Sequence, residues 1–376
     1  MIYFDNAASS FYKPSQAVDK AMFAIKQLSV NAGRSGHGLS IDAEMLIYKT
    51  RANLSKTFNN RHIERVIFTS NCSEALNFAI QGIRANGTEI VTTVTEHNSV
   101  FRPLYHMQKL GYKLNIATFS KTNRISVDDI MPLVNKNTAY VVLNGASNVT
   151  GHKNDYEAIG LELHKLHIPL IVDGAQIGGH MPIDMDKCKI SCLCLAGHKG
   201  LMSVQGVGVM LFSEDIEIDP ILFGGSGNEA FEPVPSVYPE KLEVGTHNLP
   251  AIISLNEGLN AANNFYSASA QTLFAYTNIL IEGLEKINGV TVYSKANPFG
   301  IVAFEIKNYP SIELAESYYE NYQICVRGGF HCAPLIHKAL GTDNFGLVRA
   351  SLSTYNTIKE IEKFLYATEK LALSTN

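Results

Sequence analysis

The chain has 376 residues, 46% of them apolar and 18% charged, with 31 basic against 35 acidic residues and a net charge of −4. This composition is that of a globular protein with a full core, which argues against disorder and against a fibrous chain, and the length suggests two to three domains at about 150 residues each. No apolar run approaches the ~18 residues needed to span a bilayer, no Lys/Arg cluster marks a nucleic-acid surface, and the start MIYFDNAASS lacks the pattern of a secretory signal.

In chain order, strand-like and helix-like segments alternate. Residues 65–69 (RVIFT) form a β-branched run, and residues 73–84 follow with helical spacing, Leu76, Ala79, Ile80 and Ile83 on one face. Residues 89–94 (EIVTTV) read as a strand and 100–110 as a helix. Residues 139–143 (AYVVL), 156–166 and 168–173 (IPLIVD) read as strand, helix and strand. Two more apolar runs cover 190–195 and 207–212. Strands separated by helices at this spacing predict right-handed crossovers and a mostly parallel sheet covered on both faces. Residues 224–247, rich in Gly, Pro and Glu, read as a long loop or hairpin. Helices are expected around 250–265 and 270–287, then strands at 290–293, 301–306 and 347–351 of a smaller α+β unit. A closing helix over 358–371 carries acidic residues early and Lys370 late, as the helix dipole prefers.

Three features of the sheet region carry chemistry. AGHKG, residues 196–200, presents His198 and Lys199 in a small-residue turn after an apolar strand, where open α/β sheets place their sites. By itself such a lysine is a solvated surface group; partly desolvated, its amine can form a Schiff base. Asp173 ends the apolar run IVDGAQ. A carboxylate there is costly to bury without a partner, and a protonated pyridine nitrogen is one such partner; a turn or N-cap aspartate is the plainer reading. Gln176, three residues on, has an amide able to reach a phenolic oxygen. In TSNCSEALN a strand ends at Thr69 and a helix begins near Ser73. Its free N–H groups and the Ser73 hydroxyl suit a phosphate as well as they suit an ordinary N-cap. His97, in TEHNS, has a flat ring able to stack on an aromatic cofactor, or it is a structural histidine.

Cys332 lies in RGGFHCAPL, residues 327–335, where Gly328 and Gly329 loosen the backbone and Arg327 and His331 are close in sequence. A reactive thiol needs exposure and a polar or cationic neighbourhood, which this loop offers; burial and inertness is the alternative. Arg349, in LVRAS, can hold a carboxylate through two parallel hydrogen bonds or serve in a structural ion pair. Cys192 and Cys194 alternate with leucines in an apolar strand and, with Cys188, read as packing rather than metal ligands; Cys325 also reads as a strand residue. In a chain this long without a secretory signal, the six cysteines point to reduced thiols in a cytosol.

In this order and spacing, from YFDNAAS at residues 3–9 to RASLSTYNT at 349–357, the chain resembles the class V aminotransferase family of fold type I pyridoxal-phosphate enzymes, and within it the cysteine desulfurases. The short RxGxHC segment resembles the second, SUF-type group. The resemblance implies an α/β fold with a large domain over 15–250, built on a mostly parallel seven-stranded sheet. A smaller α+β domain would comprise 1–14 and 251–376 and carry the cysteine loop. It implies pyridoxal 5'-phosphate held covalently by Lys199, His97 stacked on its ring, Asp173 at its nitrogen and Gln176 at its phenolic oxygen. Cys72 and Ser73 would meet the phosphate, with His198 beside them and Thr246 reaching the phosphate of a neighbouring subunit in a homodimer. Cys72 stands where relatives often carry threonine or alanine, and Ala196 where many carry serine.

For the substrate, L-cysteine, the resemblance implies Arg349 at the carboxylate, Asn148 nearby and Arg327 as a second contact. Lys199 and His97 would move protons, and Cys332 would take the sulfur as a persulfide and pass it to an acceptor protein. A selenocysteine lyase on the same scaffold, an aminotransferase and a non-catalytic sulfur-relay protein remain alternatives. The pathway served, whether iron–sulfur cluster assembly, thio-nucleoside or selenium metabolism, stays open.

Overall fold

The computed structural model describes residues 1–119, 123–226, 229 and 231–373; three positions of the 224–247 segment therefore lie outside the described residues. Seven strands form the central sheet in the order Val66–Thr69, Gly208–Phe212, Cys192–Ala196, Leu170–Asp173, Thr138–Asn144, Glu89–Thr93 and Lys113–Ala117. Gly208–Phe212 runs antiparallel to both its neighbours, and the other pairs are parallel. The six remaining strands therefore share one C-terminal edge. Helices cover both faces, and two separate apolar clusters fill the two interfaces. This explains why the strands read as continuous apolar runs rather than alternating ones.

The sequence expectations hold for the inner strands and shift at their ends. The 168–173 strand begins at Leu170, because Pro169 has no N–H to give a ladder; its carbonyl still accepts from Val141 N at 2.9 Å. The helix expected from residue 73 runs Cys72–Gly82, and its cap is Asn71, whose side chain accepts from Glu74 N. The two helices expected around 250–265 and 270–287 are one helix, Leu249–Leu284. The intervening YSAS contains no glycine or proline to stop it. At ~1.5 Å per residue it spans about 54 Å. Its first half packs in the core of the central sheet, through Leu249, Ile252 and Leu259. Its second half packs, through Leu273, Leu280 and Leu284, on a three-stranded antiparallel sheet of Val290–Val292, Ile301–Ile306 and Val348–Ser351.

Three long helices had no sequence expectation, Ser15–Gln27, Gly38–Thr57 and Ser311–Tyr322. The first buries small Ala17, Ala21 and Ala24 and exposes Val18, Met22, Phe23 and Ile25, so its apolar periodicity is inverted. The chain start returns to the C-terminal half: Ile2–Tyr3 pairs in parallel with Ile324–Cys325, and Asp5 bridges to Ser351. Among the described residues no helix is long and apolar enough to cross a membrane.

A buried ion pair locks the Gly38–Thr57 helix to the sheet. Arg51 donates to both oxygens of Glu243 at 2.9 Å, and Glu243 also accepts from Phe68 N at 2.6 Å. Burial works to raise the Glu243 carboxyl; Arg51 and His247 overcome it and hold it at about 2. Removing one partner strands a buried charge, so Glu243→Ala should lose about 3–5 kcal/mol of stability. Urea unfolding measures this, and a loss below about 1 kcal/mol would mean the pair is not the lock described.

Candidate active site

The shared strand edge opens into a cavity of ≈ 220 Å³. Cys72, Ser73, His97, Asn148, Asp173, Gln176, His198, Lys199, Arg327 and Arg349 all line it. Their elements explain the convergence. Asp173 is the last residue of its strand, Lys199 follows the Cys192–Ala196 strand, Asn148 follows Thr138–Asn144, and His97 follows Glu89–Thr93. Gly208 brings the Cys72–Gly82 helix close: a Cβ there would stand 2.3 Å from the Asn71 carbonyl carbon and 2.7 Å from Cys72 N. The helix start thus rests on bare backbone.

Asp173 is buried, and its Oδ1 accepts from Ala175 N at 2.9 Å and from the Cys72 thiol at 3.7 Å. Burial raises its carboxyl above the ordinary value, while the Ala175 N–H, the Lys199 charge and the Cys72 thiol oppose the shift. For Lys199 the sign reverses. Burial lowers its amine, Asp173 and Cys72 pull it back up, and Arg349 and Arg327 push it down. The Cys72 thiol is driven well up, first by burial and then by the Asp173 charge.

His97 caps the Asn98–Lys109 helix, its Nδ1 accepting from Ser99 N at 3.1 Å and meeting Ser99 Oγ at 2.9 Å. Burial, then Lys199 and three arginines, lower it to about 4, so it is neutral at pH 7 with its proton on Nε2. Ser99 Oγ lies 2.6 Å from Ser73 Oγ, so the two hydroxyls form one pair beside the helix start. His198 is lowered to about 4 by burial and then by Lys199 and Lys13; its Nδ1 lies 3.2 Å from Ser9 Oγ. Gln176 donates to Ala7 O at 3.2 Å.

Arg349 is buried, yet it retains an open side. Its Nη2 meets Asp5 Oδ1 at 2.9 Å and its Nη1 donates to Asn148 O at 2.8 Å, while Nε has no partner. Asn148 Oδ1 is likewise buried and unpartnered, and its Nδ2 donates to His331 O at 2.9 Å. Arg327 and Arg349 exchange backbone hydrogen bonds at 3.2 and 2.8 Å. Buried groups of this kind ordinarily have partners, so the orphaned Arg349 Nε–H is a donor left for a ligand carboxylate, whereas the Asn148 oxygen calls for a ligand donor.

Cys332 and Thr246 lie outside the cavity lining. Cys332 is exposed, with Arg327 Nη2 3.7 Å from its Sγ, and its carbonyl accepts from Asn98 N at 2.6 Å. His331 and Cys332 both take left-handed backbone, φ 49° and 55°, beside Gly329 at 101°. The polar neighbourhood expected of this loop is corrected in one respect. His331 turns inward, its Nε2 on Leu347 O at 3.0 Å, and burial and then Arg349 push it well below its ordinary value. It is a neutral buried ring and brings no charge to the thiol. Thr246 is exposed in the loop before the long helix and lines a different surface cleft, with Ser70 and Glu74. Cys192 and Cys194 are buried strand residues, as expected, whereas Cys188 ends the short helix Met185–Cys188.

Sequence reasoning missed Asp5, Ser99 and Glu96. All three lie inside YFDNAAS or TEHNS, but Asp5 and Ser99 had no visible partner until the fold supplied Arg349 and Ser73. Glu96 is fully buried behind His97. Its Oε1 accepts from Thr93 Oγ1 at 2.5 Å and from Asn144 N at 3.1 Å. Burial lifts its carboxyl to about 8 against those hydrogen bonds.

The class this fold and site define is plain: the chain belongs to the class-V aminotransferase family, whose model matches residues 2–364. A probable cysteine desulfurase of Pyrococcus abyssi is 30% identical over 390 residues, covering 100% of this chain and 95% of the relative. One of Borreliella burgdorferi is 28% identical over 390 residues, covering 99% and 92%. The apo structure of a cysteine desulfurase from Thermococcus onnurineus is similar at a TM-score of 0.90 and 28% identity, covering 99% of this chain and 95% of that one.

Glu96 generates a pH prediction. Its folded value lies above the ordinary 4.5, so folding takes up a proton and this contribution to stability falls as pH rises from about 4.5 to 8. Glu96→Gln lacks the proton. Its thermal midpoint, relative to the parent protein, should therefore climb across that window and level off above it. A gap constant from pH 5 to 8.5 would show that Glu96 is ionised in the fold.

Proposed function

We propose that the protein is a pyridoxal 5'-phosphate-dependent cysteine desulfurase that converts L-cysteine to L-alanine and carries the released sulfur as a persulfide on Cys332. The observation that carries this reading is the joint placement of a desolvated amine, a buried carboxylate and a half-open arginine in one cavity, with an exposed thiol at its border. The chemistry of the donor set fits the cofactor. The Cys72–Gly82 helix start and the Ser73–Ser99 hydroxyl pair offer donors to a phosphate, Asp173 an acceptor to a ring N–H, and Lys199 an amine to an aldehyde. When bound, the cofactor supplies an aldehyde for the substrate amine and an electron sink for its carbon skeleton.

The chain's own groups then have distinct tasks. Arg349, oriented by Asp5, binds the substrate carboxylate through its open side, with Asn148 and Arg327 beside it. Lys199 would hold the cofactor through its amine, and the free Nζ would move the α-proton, since burial lowers its basicity and favours the neutral form that can accept one. Asp173 would accept a hydrogen bond from a protonated ring nitrogen, and Gln176 would donate to the phenolic oxygen. His97 would lay its neutral ring on the cofactor and offer an Nε2–H hydrogen bond. Cys332 Sγ takes the substrate sulfur. The balance is one cysteine and one thiol in, one alanine and one persulfide out, with no external reductant until the persulfide is passed on.

The short cysteine loop supports membership of the second, SUF-type group, with a separate acceptor protein for the sulfur. A homodimer is supported by the exposed Val18, Met22, Phe23 and Ile25, with Leu39, Ile41, Met45 and Tyr48 on the next helix. In such a dimer Thr246 would reach the neighbouring phosphate. We divide the chain into a large domain over 15–250 and a small domain of 1–14 with 251–376, the long helix joining them. A cytoplasmic place suits the free thiols.

Adding L-cysteine to the loaded protein should yield alanine and sulfide in the presence of a thiol. Cys332→Ala should keep the visible absorbance of the bound cofactor and lose at least about a hundredfold in alanine formation, the scale on which loss of a nucleophile acts. Lys199→Ala should lose the covalent absorbance and turnover together. Full turnover by Cys332→Ala would overturn the desulfurase reading. Much faster turnover of L-selenocysteine than of L-cysteine would reassign the enzyme to selenium.

A further inference from the structure

We infer that the Cys72 side chain is a positioning residue for Asp173, and that it takes no part in holding the phosphate. The inference rests on the cavity's binding pyridoxal phosphate. Cys72 is the first residue of its helix, so its backbone N–H stays with the helix N-terminus. Its thiol points the other way. Sγ is buried in the apolar layer with Cys192, Cys194 and Ala196, and donates to Asp173 Oδ1 at 3.7 Å.

The same oxygen accepts from Ala175 N at 2.9 Å. Two donors converging on Oδ1 fix the rotation of the carboxylate and leave Oδ2 as the oxygen for a ring N–H. The thiol cannot drift from this role. Asn71 and Cys72 are seated against Gly208, where even a Cβ would clash, and Asp173 is held in register between Asn144 and Cys194. The phosphate has better donors, since the Ser73 and Ser99 hydroxyls stand together beside the helix start and a thiol is a weak donor.

The two roles separate with a ligand that lacks the phosphate. Apoprotein, with Cys72 intact or replaced, is titrated with pyridoxal 5'-phosphate and with pyridoxal, and binding is read from visible absorbance and by dialysis. If the thiol works through Asp173, Cys72→Ala weakens both ligands by one common factor, about three- to tenfold, the scale of an ordinary hydrogen bond, as befits a weak thiol donor. It also moves the pH midpoint of the bound cofactor's visible band. Cys72→Ser, which keeps a donor, should restore affinity and midpoint to within about twofold. Cys72→Val, which keeps the bulk and not the donor, should match Cys72→Ala and guards against a packing effect in the smaller variant.

Weakening confined to the phosphorylated ligand would overturn the inference in favour of a phosphate contact. Unchanged affinity and midpoint in both Cys72→Ala and Cys72→Val would reduce the thiol to packing. If the parent protein binds neither ligand, the cofactor reading itself fails and takes this inference with it.

Discussion

Everything in this site depends on holding an amine and a carboxylate out of water in the same cavity. Desolvation moves Asp173 up and Lys199 down, toward each other, and each charge then resists the other's neutralisation. Neither group would behave this way on a surface. The parallel sheet makes the arrangement possible, because the C-terminal ends of its strands deliver Asp173, Lys199, Asn148 and His97 to one edge while both faces stay packed.

The second half of the chemistry comes from elsewhere in the chain. Arg349 rises from the three-stranded sheet, and the loop with Cys332 sits over a small cluster of Val149, Ala303, Ala333, Ile336 and Leu347. Three ties fasten this part to the central sheet: Asn98 N to Cys332 O, Asn148 Nδ2 to His331 O, and Arg349 Nη1 to Asn148 O. The residues around Arg349 are thus also those that place the thiol. Two consecutive non-glycine residues in left-handed backbone, His331 and Cys332, persist because these ties over-determine the loop.

Much of this was legible in the sequence. Strands buried on both faces announce themselves as apolar runs; Asp173 stood out because it closes one, Lys199 because it follows one, and Arg349 as a charge that lies inside the strand Val348–Ser351. The helix Ser15–Gln27 was not legible, since its buried face is alanine and its larger apolar groups face outward. The long helix was divided because local spacing cannot tell a soft stretch such as YSAS from a break. Partners far apart in the chain were invisible: Asp5 meets Arg349 across 344 positions, and His331, adjacent to Cys332, turns away from it. Motif spacing identifies which residues carry chemistry; only the fold shows which atoms they turn toward the cavity.

The central claim is that one exposed loop thiol collects the sulfur mobilised beside Lys199. The most direct measurement is peptide mapping by mass after the loaded protein is exposed briefly to L-cysteine and its free and persulfide thiols are trapped. The account predicts one added sulfur atom on the peptide containing Cys332, formed together with alanine, and unmodified peptides for the buried Cys72, Cys192 and Cys194. Alanine formed in stoichiometric amount with no sulfur on Cys332, or sulfur carried on another cysteine, would contradict it.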